Sequence, residues 1–247
     1  GFIDPSTHIS PDGRSIAFVT WDDSSRGHVW TVPAAGGAPK RLSRDPGDYT
    51  DPTWTADGRG VIVARGEGAT ARGRTMTHNV WYDITRFDTM APAAGDTGRA
   101  IALINRPSGV SVGGEARRQL PRPSVGPDGR VFWPEQRAGG TGRASGTTLR
   151  SVKLDGSDLQ DHLTFPNADE ILPSPTGSYV AFQEGDNVYL TPMVWGGIGS
   201  AVPRVEKRRG QLPVTQLTRD GGLFPRWRDS LTLEYSNGAA YYVHHVA

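Results

Sequence analysis

Ser10-Pro11-Asp12-Gly13-Arg14, with the apolar run Ser15-Ile16-Ala17-Phe18-Val19 directly after it, decides the fold. In such a turn Pro presets φ, Asp accepts hydrogen bonds from the nearby backbone and Gly takes a positive φ, so a short strand is joined to an apolar one. The pattern recurs, with variations, at Thr55-Ala56-Asp57-Gly58-Arg59, Gly126-Pro127-Asp128-Gly129-Arg130, Ser174-Pro175-Thr176-Gly177 and Trp227-Arg228-Asp229-Ser230. The third turn positions, 12, 57, 128, 176 and 229, are separated by 45, 71, 48 and 53 residues, which indicates an internal repeat.

Each repeat continues in the same way after its second strand. A third strand follows, as at 28–32 and 187–190, and then a Gly-containing turn leads to a fourth strand that ends in Leu-Ser or Leu-Thr. Four strands in a unit of this length are typical of a β-propeller blade. The sequence therefore predicts an all-β fold, a β-propeller of four-stranded antiparallel blades, with repeats near 7–43, 51–104, 122–164, 170–218 and 224–247.

The second strand of each repeat is expected on the inner side of its blade. These strands are 16–19, 61–64, 131–133, 179–182 and 231–235. No stretch of 11 or more residues has the apolar spacing of a helix without containing Gly or Pro, so a helical fold is not expected. The alternative to the propeller is a β-sandwich. Five repeats fit a six-bladed propeller or part of one, so 1–247 is interpreted as one propeller domain that is incomplete or a fragment of a longer two-domain protein. Alternatively, residues 1–7 and the last strands complete one blade between them.

Composition excludes several classes of function. The chain has 247 residues, no Cys, and 27 Lys and Arg against 26 Asp and Glu, a formal net charge of +1. The absence of Cys rules out disulfide scaffolds and thiol chemistry. A balanced charge argues against nucleic acid as a partner, and without an apolar run of about 18 residues no membrane span is expected.

The repeat Ser-Pro-Asp-Gly-Arg-x-Ile-Ala-Phe, with an outer strand ending in Leu-Ser or Leu-Thr, resembles the TolB-like repeat, also called the WD40-like Pro-Asp repeat. It lacks the Gly-His and Trp-Asp pairs of true WD40 repeats. Two longer stretches, 154–189 and 221–245, are similar to the N-terminal propeller of bacterial TolB-like amidohydrolases. Thr176, which replaces the turn Asp, departs from the pattern.

The resemblance implies a partner for this chain. In such proteins a metal-dependent amidohydrolase barrel follows the propeller, so the barrel is expected in the same protein or as a separate chain, with a divalent metal such as zinc in that domain. The barrel's His-x-His motif is absent from this sequence. The resemblance also favours an exported or periplasmic location over a cytoplasmic one.

The segment itself is expected to have no catalytic residues, no metal ligands and no cofactor. His244 and His245 are the only histidines close in sequence, and adjacent strand residues point to opposite faces, so they cannot hold one ion together. No Gly-x-Ser-x-Gly elbow is present, and 139–142 lacks the Gly-Lys-Ser/Thr ending of a phosphate loop. The turn aspartates are interpreted as backbone caps, and the basic run 204–209 as a solvated loop rather than an anion or partner site.

One face of the propeller is the candidate binding surface. Loops that join the second strand to the third share a face with the connections between blades, and two of them, 66–78 and 134–147, are unusually long. The residues predicted to meet a domain or partner there are Asp22, Arg65, Arg72, Arg74, His78, Glu135, Arg137, Asp169 and Glu170.

Three functions remain open at this point. The chain is the docking or gating scaffold of a metal-dependent hydrolase acting on C–N or related bonds, or a non-catalytic TolB-like protein-binding module, or the gating propeller of a serine peptidase.

Overall fold

The structure, a computed structural model, describes residues 2–3, 7–22, 24–66, 82–90, 95–104, 122–138, 144–196, 201–208 and 210–246, with the backbone alone at 2–3, 136–138 and 144–145. The chain forms two compact units. The first comprises Gly1–Ser108, Leu120–Val125 and Leu154–Ser157, and the second comprises Gly109–Gln119, Gly126–Lys153 and Asp158–Ala247.

Strands make up nearly all the regular structure of the described residues. Those of the first unit are β1 (Phe2–Ile3), β2 (His8–Ile9), β3 (Ser15–Trp21), β4 (His28–Pro33), β5 (Lys40–Arg41), β6 (Tyr49–Trp54), β7 (Gly60–Gly66), β8 (Tyr82–Asp88), β9 (Arg99–Ile104) and β10 (Ser124–Val125). Those of the second unit are β11 (Val131–Ala138), β12 (Ala144–Val152), β13 (Gln160–Phe165), β14 (Glu170–Pro173), β15 (Tyr179–Glu184), β16 (Asn187–Pro192), β17 (Thr215–Gln216), β18 (Leu223–Trp227), β19 (Thr232–Asn237) and β20 (Ala240–His245). A short 3-10 turn, Pro127–Gly129, precedes β11.

Each repeat of the sequence forms one sheet. The strand orders are β1-β3-β4-β5 with β2 also on β3, β6-β7-β8-β9, β10-β11-β12-β13, β14-β15-β16-β17 and β18-β19-β20. The pairs are antiparallel, as in β15 with β16, where Phe182 lies opposite Tyr189. The predicted all-β propeller fold with antiparallel blades is therefore confirmed, and the last sheet has three strands in the part of the chain that the structure describes.

The second strand of each repeat lies inside its sheet and is paired on both sides, as its apolar sequence predicts. In β7 the side chains of Val61, Ile62, Val63 and Ala64 are all fully buried. Burying a side chain the size of Val or Ile stabilises a fold by roughly 1.5–3 kcal/mol, so these strands anchor the core of each unit.

Each unit has its own apolar core. In the first unit Val19, Val29, Trp54, Val63 and Phe87 pack together with their neighbours. In the second unit the larger cluster contains Phe132, Leu163, Phe165, Phe182 and Val205. The sheets are thus packed on one another inside each unit by the alternating apolar residues that identified the strands.

The repeat turns have the expected geometry in the first two repeats. Asp12 Oδ1 accepts hydrogen bonds from Arg14 N at 3.0 Å and from Ser10 Oγ at 2.6 Å. The corresponding glycines, Gly13 and Gly58, have φ values of 72° and 67°. In the third repeat Asp128 itself takes a positive φ of 55° inside the 3-10 turn. Pro-Asp-Gly therefore makes the same chain reversal in two local conformations.

The N-terminal strand β1 pairs with β3, with Phe2 opposite Trp21 and Ile3 opposite Thr20. The next strand, β2, pairs with the same edge of β3, with His8 opposite Ala17. Together β1 and β2 provide an interrupted first strand for the first sheet. Among the described residues, no helix is long and apolar enough to cross a membrane.

Candidate functional site

Arg65 lies at the end of β7, where the first long loop begins. Its Nε is 3.1 Å from Oδ1 of Asp83 on β8, and its Nη2 is 2.8 Å from Oδ2 of the same residue. Its Nη1 also donates to the Thr97 carbonyl at 3.1 Å. Because Arg65 and Asp83 face each other across the two strands, this two-point ion pair fixes the stem of the loop between them.

Glu135 lies within β11, because the long loop predicted over 134–147 is wrong: β11 extends to Ala138 and β12 begins at Ala144. One carboxylate oxygen, Oε2, accepts from Trp133 Nε1 at 3.1 Å and from Arg150 Nη1 at 2.8 Å. Arg150 continues the network to Asp161, 2.7 Å away. The Glu135 carboxylate is nearly buried, so it is committed to this network, which joins β11 to β12 and β13.

The other predicted face residues divide into two groups. Asp22 caps its own loop, because its carboxylate accepts hydrogen bonds from Ser24 N at 2.9 Å, from Ser25 N at 3.0 Å and from the Ser24 hydroxyl. These bonds, of which the one from the hydroxyl has the largest effect, hold the pKa of Asp22 well below its ordinary value. Asp169 accepts from Gly185 N at 3.3 Å, and Glu170 begins β14. Arg72, Arg74 and His78 lie outside the described residues, and Arg137 is described by its backbone alone. Their role at the face stays a prediction.

A buried Ser–His pair is the group that looks most like a catalytic centre. Ser151 Oγ and His162 Nε2 are 2.6 Å apart, and both side chains are fully buried. Gly196 N donates to His162 Nδ1 at 3.2 Å, so the ring proton lies on Nε2 and is donated to Ser151. Arg130 Nε also donates to Ser151 Oγ, at 3.0 Å.

This polarity is the reverse of a nucleophile–base pair, in which His accepts the Ser proton. Burial, reinforced by the positive charge of Arg130, lowers the pKa of His162 to about 4. His162 is therefore neutral under ordinary conditions, and it packs beside Phe132 and Trp195 with ring centroids 5.3 and 5.5 Å away. The pair is part of the core of the second unit.

Metal ligands do not converge in the part of the chain that the structure describes, where no three His, Asp or Glu side chains could hold one ion. His244 and His245 are consecutive on β20, opposite Leu233 and Thr232 of β19.

The described part of the connector between β16 and β17 lines a cavity of the second unit. This connector cavity has a volume of about 710 Å³. Its walls include 204–208 of the connector together with Asn167, Glu184, Tyr189 and Gln216. Asn167 follows β13 and Glu184 ends β15, so part of the cavity lining lies at the strand ends that the sequence assigns to the candidate binding surface. A volume in this range is typical of ligand pockets.

The connector is held to β13 by backbone pairing. Thr164 N donates to the Pro203 carbonyl at 2.9 Å, and Val205 N donates to the Thr164 carbonyl at 2.9 Å. The Val205 side chain is 2% exposed and belongs to the core cluster of the unit. The sequence predicts a solvated loop over the basic run 204–209, whereas the structure anchors this run at Val205 and leaves Arg208 exposed. The available signal was the apolar pair Pro203 and Val205 among the charges.

Comparisons with known proteins agree with the fold. No protein-family model matches the chain. A crystal structure of TolB from Acinetobacter baumannii matches 89% of this chain and 44% of its own, at 20% identity and a TM-score of 0.54. The β-propeller domain of the Trilobed protease from Pyrococcus furiosus matches 96% of this chain and 64% of its own, at 13% identity and a TM-score of 0.51.

The sequence relative is the "uncharacterized peptidase YuxL" of Bacillus subtilis, 29% identical over 76 residues, which is 30% of this chain and 12% of the relative. The chain thus spans less than two thirds of each of these three proteins. At these sequence identities the comparisons establish the fold alone, a TolB-like propeller. The similar propellers belong to a protease as well as to TolB.

Proposed function

We propose that this chain is the non-catalytic propeller of a longer hydrolase, where it docks the catalytic domain and controls the access of substrate. The observation that carries the proposal is the pattern of coverage. The chain is matched over 96% of its length by the propeller of a protease, while its match to a peptidase relative accounts for only 12% of that protein.

The geometry of the candidate binding surface supports a docking role. The Arg65–Asp83 pair joins the ends of β7 and β8, and the Glu135–Arg150 pair joins β11 to β12. A surface whose side chains are fixed before binding loses less conformational entropy when an interface forms. The charged groups of both pairs are bonded to each other and not available to a substrate, which suits a scaffold better than an active site.

Two kinds of catalytic domain are consistent with the proposal. A serine peptidase domain is favoured by the peptidase relative and the protease propeller. A metal-dependent amidohydrolase barrel, with a divalent metal such as zinc bound inside the barrel, is favoured by the resemblance of 154–189 and 221–245 to the propellers of TolB-like amidohydrolases. In both cases the partner of this chain is a domain of the same protein or a separate chain.

The test uses the complete natural protein that contains this segment. Covalent labelling by a fluorophosphonate probe would identify a serine peptidase, and stoichiometric zinc with loss of activity on chelation would identify the amidohydrolase. Removing residues 1–247 should then broaden the size range of accepted substrates. If neither label nor metal is found and no peptide or amide is cleaved, the chain is a binding module and the proposal is wrong.

A further inference from the structure

The walls of the connector cavity carry an unbalanced positive charge. Among its lining residues are three cations and two carboxylates. Arg204 Nε pairs with Glu206 at 2.7 Å, and Lys207 Nζ pairs with Glu184 at 3.0 Å. Arg208 is exposed and has no ion-pair partner among the residues that the structure describes. The cavity therefore offers one free guanidinium to a ligand.

Neighbouring contacts hold the connector beside Arg208 in place. The Lys207 ammonium lies 5.1 Å from the centre of the Tyr189 ring, over its face. Tyr189 is itself stacked on Phe182, with ring centroids 5.4 Å apart. Lys207 is thus bound to a rigid sheet through Glu184 and Tyr189, and the bond to Glu184 raises the pKa of Lys207, so it stays charged. Arg208 follows directly on this anchored residue.

Amide side chains provide the second type of recognition group. Gln216 Nε2 donates to the Thr218 carbonyl at 2.8 Å, which fixes the side chain and leaves its Oε1 as an acceptor. Asn167 also lines the cavity, is exposed, and offers both a donor and an acceptor. Amide groups of this kind form hydrogen bonds with the N–H and C=O groups of a peptide backbone, while a free guanidinium binds a carboxylate at two points.

We propose that the connector cavity binds an acidic peptide segment, with a Glu or Asp carboxylate of the peptide paired to Arg208 and the peptide backbone bonded to Asn167 and Gln216. The choice of a peptide as ligand rests on the proposed function, since a hydrolase propeller that controls access meets peptide substrates or a peptide segment of its catalytic domain. The charge requirement rests on the geometry of this chain alone.

The test is fluorescence anisotropy with the 247-residue chain and a rhodamine-labelled peptide of three Ala-Glu repeats, amidated at its C-terminus. The Arg208→Gln variant should bind the peptide at least about tenfold more weakly, the loss expected for one charged hydrogen-bonded contact. Arg219→Gln is the matched control, because Arg219 is also exposed and lies outside the cavity lining, and its affinity should stay within about twofold of the parent.

Two further probes separate the possible ligands. A peptide with Gln in place of Glu should bind at least about tenfold more weakly than the acidic one, and glutarate should compete poorly. Equal binding of the Gln peptide, equal losses in the two Arg variants, or no binding at millimolar peptide would overturn the proposal. Full competition by glutarate would show a site for free carboxylates instead. Association of the chain with its catalytic domain is measured separately, so a failure here leaves the proposed function standing.

Discussion

The indole Nε1 of Trp227 donates a hydrogen bond of 2.9 Å to the backbone carbonyl of Leu172. Trp227 ends the first strand of the fifth sheet, and Leu172 lies on the first strand of the fourth. In the first unit Trp54 makes the same bond, at 2.9 Å, to the carbonyl of His8. Trp54 directly precedes its repeat turn and Trp227 begins its own, so a Trp at the end of the first strand of a sheet links neighbouring sheets within each unit.

Replacing Trp227 by Phe should weaken this link while keeping an aromatic ring in place. The Leu172 carbonyl would lose its partner, and the free energy of unfolding should fall by about 1–3 kcal/mol. Urea unfolding followed by circular dichroism measures the change. Tyr242→Phe, on the exposed β20, is the control and should change stability by less than about 0.5 kcal/mol. Equal effects of both variants would mean that the indole bond contributes nothing.

The low pKa of His162 predicts a dependence of stability on pH. Because its pKa in the folded protein is about 4, against 6.5 when unfolded, the unfolded chain binds a proton first as the pH falls. The stabilisation is complete above about pH 6.5 and is lost progressively down to about pH 4, amounting to at most about 3 kcal/mol. His162→Gln should flatten this profile. NMR titration of the His162 ring in the parent chain is the direct check, and protonation near pH 6.5 would contradict the prediction.

Much of the fold follows from the turn pattern because each Pro-Asp-Gly turn fixes where two strands meet. The expected strands 28–32 and 187–190 appear as His28–Pro33 and Asn187–Pro192. Boundaries shift where the pattern weakens. The degraded turn at Asp229 delays the next strand, which begins at Thr232 instead of residue 231.

The contacts at the candidate site could be predicted less well, because they depend on register and on long connections. The sequence predicts Arg65 at the candidate binding surface. Its ion pair with Asp83 could not be predicted, because it depends on the register of two strands that are separated by a long loop. The connector cavity depends on the pairing of Val205 with Thr164, and its sequence signal, the apolar Pro203 and Val205, is too short to show the periodicity of a strand.

Gly95 should tolerate substitution far less than a glycine with positive φ that has open space around it, such as Gly58. Its φ is 83°, and an added Cβ would lie 2.6 Å from Arg44 N and from the Ser43 carbonyl carbon. The next residue, Asp96, forms two backbone hydrogen bonds: its N–H donates to the Leu42 carbonyl, and its carbonyl accepts from Arg44 N. Gly95→Ala should therefore destabilise the chain by about 2–4 kcal/mol, from backbone strain and overpacking together.

Gly58→Ala is the matched control, because Gly58 has a φ of 67° and open space around the position of a Cβ. It should cost only about 1–2 kcal/mol, the strain of the left-handed conformation. Thermal unfolding of both variants measures the difference. Similar losses would show that the close approach at Ser43 relaxes freely.

The fourth repeat turn should gain stability from the Asp that it lacks. In the first two repeats, Asp12 and Asp57 each accept a bond of 3.0 Å from the backbone N–H two residues on. At the fourth turn that donor, Ser178 N, bonds to Ser174 Oγ at 3.1 Å, and Thr176 replaces the Asp. Thr176→Asp supplies an acceptor for Ser178 N and for the Ser174 hydroxyl, so the temperature of unfolding should rise at neutral pH.

The effect of Thr176→Asp should also depend on pH in a defined direction. The equivalent bonds, led by those from the Ser10 and Thr55 hydroxyls, hold the pKa values of Asp12 and Asp57 below the ordinary value of 3.8. A new carboxylate with a lowered pKa stabilises the chain above pH 3.8, and this gain is lost as the pH falls below that value. Thr176→Asn, which accepts a hydrogen bond without a charge, should give a smaller gain that does not change over the same range. A gain from Asp that persists at low pH, or no gain at neutral pH, would show that the turn does not use the carboxylate.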